Sequence, residues 1–223
     1  MTEKKFTHLH VHTEYSLLDG ATKLEALIRR IKDCNMDSVA ITDHGNIFGA
    51  VKFFEQCKKN NIKPILGMEA YFTEDASIKS VSNKYYHLLL IVQNMQGYRN
   101  LCKLISYSFN KGFYFKPRID YKSLEKYSDG LIVSSACLGG HIPQLIIKNQ
   151  YEEAHKHIQW FIDVFGRERF FLEVQPEDQK EQTLVNDYFY KIAPEFNLDI
   201  IGTTDAHYPT PDYQDAHEAM LCI

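Results

Sequence analysis

Apolar positions recur along the chain with two alternating periods. Across residues 23–34, Leu24, Leu27, Ile28 and Ile31 fall at the spacing of one helix face, with Asn35 at the expected stop. Residues 38–42 form a short apolar run without alternation, the pattern of a strand covered on both faces. The same logic predicts helices over 47–59, 95–109, 121–127, 141–149, 151–165 and 181–195, and strands over 62–72, 85–92, 130–135, 170–175 and 199–203. Residues 73–84 are polar and aperiodic and read as a loop, while Gly112 and Pro117 bar a regular helix from 111–118. Ahead of all these, His8, Leu9, His10, Val11 and His12 alternate with period two, which predicts a strand with three imidazoles on one face. About seven strands alternating with helices, with no repeat, low-complexity tract or linker, predict one α/β domain over 1–223, built as a barrel or a doubly wound sheet. The length of 223 residues is near the ~250 typical of an α/β barrel.

Composition narrows the class. A hydrophobic fraction of 44% and a charged fraction of 24% are those of a soluble globular protein. No stretch reaches the ~20 apolar residues that span a bilayer, and Met-Thr-Glu-Lys-Lys precedes no signal-peptide apolar region, so a cytoplasmic protein is expected. The five cysteines are odd in number, scattered and without CxxC pairing, which argues against a disulfide framework and a zinc finger. A net charge of −4 does not advertise binding through phosphate contacts alone. An anionic substrate would need locally concentrated cations, which bound metal ions could provide.

Several predicted strands end on a metal-type side chain: His10 and His12, Asp43 and His44, Glu69, Cys137, and Asp205 and His207. In parallel α/β barrels the site lies at the C-terminal strand ends, so these residues would meet. His87 fits less well, standing at the start of its strand; either the boundary is misread or that strand runs oppositely. Imidazole, carboxylate and thiolate together suit Zn²⁺, Mn²⁺ or Fe²⁺. With Asp19 the candidates are His10, His12, Asp19, His44, Glu69, His87, Cys137, Asp205 and His207, too many for one ion and suited to two or three.

The motifs HLHVHTEYSLLDG at 8–20, TDHGN at 42–46, KPILGME at 63–69, GFYFKPR at 112–118, SACLGG at 135–140 and TDAHY at 204–208 resemble, in order, the PHP domain of bacterial DNA polymerase III alpha subunits of the DnaE type. The resemblance implies a distorted seven-stranded (β/α) barrel, TIM-like, around a trinuclear metal cluster. One ion would be held by His10, His12, Glu69 and Asp205, a second by Glu69, His87 and Cys137, and a third by Asp19, His44 and His207. It leaves His8 a supporting or core residue.

The same resemblance implies metal-dependent phosphodiester hydrolysis, including 3′-to-5′ proofreading, with Asp19, His44, Glu69 and His207 at the reacting centre. Lys111, Lys116 and Arg118, interleaved with aromatics, are the expected substrate contacts. Implied partners are the primer 3′ end of DNA, the remaining polymerase domains and other replisome subunits, with no membrane. The chain stops at Met220-Leu221-Cys222-Ile223 where that family continues, so a piece truncated before the polymerase domains is expected, and nothing in it resembles a polymerase active site. A histidinol-phosphatase-like phosphoesterase and a metal-stabilised, non-catalytic platform are the competing readings. Glu173 and Asp43 are read either as partners orienting ligands or as core and turn residues. At least one of His155 and His157 is expected at the surface, and His141 and His217 receive no role.

Overall fold

The computed structural model describes residues 6–223, so the N-terminal pentapeptide lies outside the described residues. The chain forms two compact units, one running to Met68 and resuming over Thr204–Ile223, the other comprising Glu69–Thr203. Elements are numbered in chain order.

In the first unit, α1 (Leu24–Asp33) buries Leu24, Leu27, Ile28 and Ile31, the face its periodicity predicts. Strand β1 (Ser38–Ile41) is buried at every position and pairs in parallel with β2 (Lys63–Thr73), Ser38 opposite Lys63 and Ile41 opposite Leu66. Helix α2 (Ala50–Lys59) adds Phe53 and Cys57 to this core, together with Val11, Val39 and Ile62. Each such side chain removed from water contributes on the order of 1.5–3 kcal/mol. The 8–12 segment is not a regular strand. It is held by two isolated parallel bridges, His8 to Val39 and Val11 to Ala206. Its alternation survives nonetheless, because His12 N donates to Ala206 O and Thr42 N donates to Val11 O. The unit closes with a helix the periodicity did not predict, α8 (Gln214–Leu221).

In the second unit, β3 (Tyr85–Val92) is followed by α3 (Met95–Asn110), β4 (Arg118–Asp120), α4 (Tyr121–Tyr127), β5 (Leu131–Ser134), α5 (His141–Ile147), α6 (Tyr151–Phe165), β6 (Phe170–Val174), α7 (Lys180–Phe196) and β7 (Ile200–Gly202). The residues of β2 from Tyr71 pair in parallel with β4, a strand too short for periodicity to reveal. Strands β5, β6 and β7 are mutually parallel, but β3 runs antiparallel to β5. That reversal explains His87: the start of β3 lies beside the loop that follows β5, where His87 N donates to Gly139 O.

Candidate metal centre

The first unit carries six of the nine candidate donors. His10 and His12 are fully buried, and their Nε2 atoms lie 3.2 and 3.1 Å from one oxygen, Asp205 Oδ1. Two features aim them. The bridges at His8 and Val11 hold the segment extended, so both imidazoles turn to one face, and Asp205 adopts a left-handed backbone (φ 45°) that costs a non-glycine residue about 1–2 kcal/mol. A network behind the His12 ring fixes its proton. Asp43, buried, accepts from Thr13 N, Thr13 Oγ1 and Ser16 Oγ, so the Ser16 hydroxyl hydrogen is committed to it. Ser16 Oγ is then an acceptor for His12 Nδ1, 2.9 Å away, which leaves His12 Nε2 with its lone pair turned to Asp205.

Beside this group, Asp19 Oδ2 sits 2.7 Å from His44 Nε2 and 3.3 Å from His207 Nε2. His207 Nδ1 donates to Asp205 O at 2.8 Å. The rings of His44 and His207 both lie 4.2 Å from that of His12. Burial opposes ionisation of Asp19, but hydrogen bonds to His207 and His44 outweigh it and hold the carboxyl well below the usual carboxylate range. Burial likewise opposes a charged His207, yet its bond to Asp19 and the Asp205 charge raise its proton affinity. Asp19 and Asp205 thus favour positive charge on His207.

The second unit carries the other three. His87 Nδ1 is 3.1 Å from Glu69 Oε1, and Cys137 Sγ is 3.5 Å from each of those atoms. Glu69 is buried. Cys137 follows Ala136, whose backbone is left-handed (φ 61°) as the chain turns out of β5. Gly139 is required here, since a Cβ would come within 2.9 Å of His87 Nδ1.

Both groups fit a divalent transition ion. Bond lengths of ~2.0–2.1 Å to nitrogen or oxygen and ~2.3 Å to sulfur give tetrahedral edges of ~3.3 Å between N and O donors and ~3.5 Å to sulfur. The separations of His10 and His12 from Asp205, and those among Glu69, His87 and Cys137, are of that size. The donors of His10, His12 and Asp205, and of His12, His44 and His207, each lie within 4.8 Å of one another. His12 and His207 also direct their other ring nitrogens to oxygen acceptors, as metal-ligating histidines do.

The expected substrate contacts divide. Lys111 and Lys116 are exposed, and Lys116 Nζ lies 5.2 Å from the centre of the Tyr71 ring, which meets His87 edge-on. Arg118 is a correction: it is 1% exposed, and its guanidinium donates to the carbonyls of Gly112, Ala76 and Ile78, tying the segment before β4 to the 73–84 loop instead of facing solvent. Phe113 and Phe115 are 50% and 75% exposed.

Other sequence alternatives are decided by neighbours. His8 supports from behind, with Nδ1 3.0 Å from Thr204 Oγ1. Glu173 accepts from Ser134, Thr203 and Gln175 in the core. His155 and His157 are both half-buried, against Tyr188 and Tyr121 respectively, so neither is plain surface. Nothing along the chain marks Ser16, Gly139 or Tyr71, because neither a hydroxyl, a glycine nor a strand tyrosine announces its neighbours in space.

Comparison with known proteins agrees with these features. The PHP domain family matches residues 8–177. The chain is 46% identical over 223 residues to the DNA polymerase III subunit alpha of Borreliella burgdorferi, covering 98% of this chain and 19% of that protein. It is 40% identical over 229 residues to that of Aquifex aeolicus, covering 99% and 20%. The chain therefore spans about a fifth of the length of these relatives. Among solved structures, a protein from Bifidobacterium adolescentis assigned to the metal-dependent phosphoesterases aligns with a TM-score of 0.60 at 14% identity, over 97% of this chain and 95% of that one. An amidohydrolase from Chromobacterium violaceum, with bound sulfate, aligns at 0.55 and 13% identity over 97% of each chain. These likenesses show the α/β fold expected from the sequence.

Proposed function

This chain belongs to the PHP domain family, and from that membership we propose that it is a metal-dependent phosphoesterase that hydrolyses DNA phosphodiesters, as a 3′-to-5′ proofreading exonuclease, within a protein that synthesises DNA during replication. The observation that carries the reading is the convergence of two imidazoles on one carboxylate oxygen at 3.1 and 3.2 Å. The mixed N, O and S triangle of Glu69, His87 and Cys137 supports it independently.

We assign to the site two or three divalent ions drawn from zinc, manganese and iron, as the resemblance implies. Such ions supply Lewis acidity toward a phosphodiester and lower the pKa of water. The chain's own residues do the rest. On this reading Asp19, His44, Glu69 and His207 are the catalytic residues; Asp19 stays ionised because His207 and His44 hold it, and so offers negative charge to a cation. Ser16 and Asp43 fix the His12 ring so that its orientation survives substrate turnover. Lys111 and Lys116 attract the strand, with Lys116 stacked over the tyrosine that meets His87. Exposed Phe113 and Phe115 offer faces for unpaired bases, each stack contributing ~1–3 kcal/mol.

The named relatives favour DNA over a small phosphomonoester, since they are DNA polymerase subunits. On this reading the partners are DNA, the remaining polymerase domains and other replisome subunits, in the cytoplasm. No helix among the described residues is long and apolar enough to cross a membrane.

The test offers the protein, with Mn²⁺ or Zn²⁺ and with chelator, a primer mismatched at its 3′ end and, separately, a small phosphomonoester such as histidinol phosphate. Metal-dependent trimming, abolished by Asp19→Ala and by Glu69→Ala, is the expected result. Cleavage of the monoester alone would replace this reading with a small-molecule phosphoesterase. Bound ions without cleavage of either would make the domain a metal-stabilised platform.

A further inference from the structure

We infer that His217, which lies outside the matched residues 8–177 and outside every motif of the donor set, is a positioning residue for Asp19: it holds Oδ1 so that Oδ2 stays turned to His44 and His207. The inference rests on the metal reading above.

The two oxygens of Asp19 have different surroundings. Oδ2 is bonded by His44 Nε2 at 2.7 Å and approached by His207 Nε2 at 3.3 Å. Oδ1 faces a third imidazole, His217 Nε2, at 3.7 Å. That nitrogen is buried and has no hydrogen-bond partner among the described residues, although the side chain as a whole is 14% exposed. Leaving a buried polar nitrogen unsatisfied costs about 1–3 kcal/mol, so the ring is poised to take a partner.

The ring is also confined. Its centre lies 5.6 Å from that of His207 and 5.4 Å from that of Tyr208, and its backbone is fixed in α8. A movement of ~0.8 Å brings Nε2 to the ~2.9 Å of an N–H···O bond. A carboxylate that offers one oxygen to a metal site and anchors the other on an N–H is oriented for ligation, and loss of such an anchor typically weakens metal binding 10–100-fold. A histidine that merely packs α8 would have no such effect.

The test reads metal binding, not activity. Mn²⁺ and Co²⁺ are titrated into the full chain against a chromophoric chelator, and the Co²⁺ absorption spectrum is recorded. His217→Leu is expected to weaken one equivalent of metal about 10–100-fold and alter the Co²⁺ spectrum. His217→Gln, whose amide nitrogen reaches the place of Nε2, is expected to stay within a few-fold of the parent, and the shorter His217→Asn to resemble Leu. In an Asp19→Asn background, His217→Leu should add nothing further, as required of a residue acting through Asp19. Unchanged affinity and spectrum in a folded His217→Leu protein overturns the inference. If that variant does not fold, equal behaviour of the Gln and Asn variants overturns it instead. A parent protein that takes up no metal would overturn the metal reading itself, and this inference with it; a parent that loads normally beside an unaffected His217→Leu overturns only the role of His217.

Discussion

Gly139→Ala probes the His87 site without touching a donor. A Cβ at position 139 would stand 2.9 Å from His87 Nδ1, 3.1 Å from Cγ and 3.3 Å from Cε1. The backbone of Gly139 is not among the left-handed positions, so alanine meets no φ penalty there. The clash must be relieved at the ring. Restoring an ordinary contact of ~3.5 Å moves the imidazole by about 0.6 Å. Nδ1 is the atom that stands 3.1 Å from Glu69 Oε1 and 3.5 Å from Cys137 Sγ, and metal sites tolerate displacements of only ~0.2 Å in ligand distance. We therefore expect metal affinity to fall about 10–100-fold, ~1.4–2.8 kcal/mol, while stability without metal stays within ~1 kcal/mol of the parent. Chelator competition measures the first quantity and urea unfolding in chelator the second. Gly202→Ala, where an added Cβ meets nothing within 4 Å, is the matched control. Undiminished metal affinity in a folded Gly139→Ala protein would refute the claim that His87 Nδ1 is a donor held by that close approach.

Three further outcomes follow from the same geometry. Burial, with His157 beside it, pushes the His141 imidazole down to about 3, below an unfolded value near 6.5; its contribution is therefore intact above about pH 6.5 and is lost as pH falls toward 3. Between about pH 7.5 and 5 the parent should lose ~2 kcal/mol relative to His141→Phe, which keeps the stack on Tyr86, and parallel unfolding curves would refute this. Arg118→Met should cost about 2–4 kcal/mol in urea unfolding, because three carbonyls lose a buried donor, whereas Lys116→Ala should leave stability within ~0.5 kcal/mol and weaken single-stranded DNA binding; the opposite pattern would restore Arg118 as a substrate contact. Ser16→Ala, which cuts the link from Asp43 to His12, should lower metal affinity about tenfold by chelator competition, and an unchanged affinity would show that the His12 ring needs no such brace.

Much of this was legible along the chain because it is local. The apolar stripe of α1 and the unbroken run of β1 each follow from the spacing of a few neighbours, and the chain folds them as expected. The period-two placement of His10 and His12 set two imidazoles on one face, even though the segment is held by isolated bridges and not by a regular strand. Donor chemistry was likewise readable from residue type, since few side chains other than His, Asp, Glu and Cys bind transition ions.

What the sequence by itself determined, then, was the alternation of elements and the family, with an inventory of candidate donors beside them. The tertiary structure decided who faces whom. Antiparallel pairing of β3 with β5 brought a strand-initial His87 to the turn after β5, and no periodicity records strand direction. Arg118 looked like a phosphate contact beside Lys116, but β4 pairs with β2 and turns its guanidinium onto three carbonyls, because burial depends on what packs above a residue and not on its neighbours in sequence. Asp43 and Ser16 became a brace for His12, and His217, on a helix without sequence warning, came to face Asp19 Oδ1. Periodicity is a property of a few consecutive residues, whereas a proton's position or a ligand's aim is set by atoms supplied from distant parts of the chain.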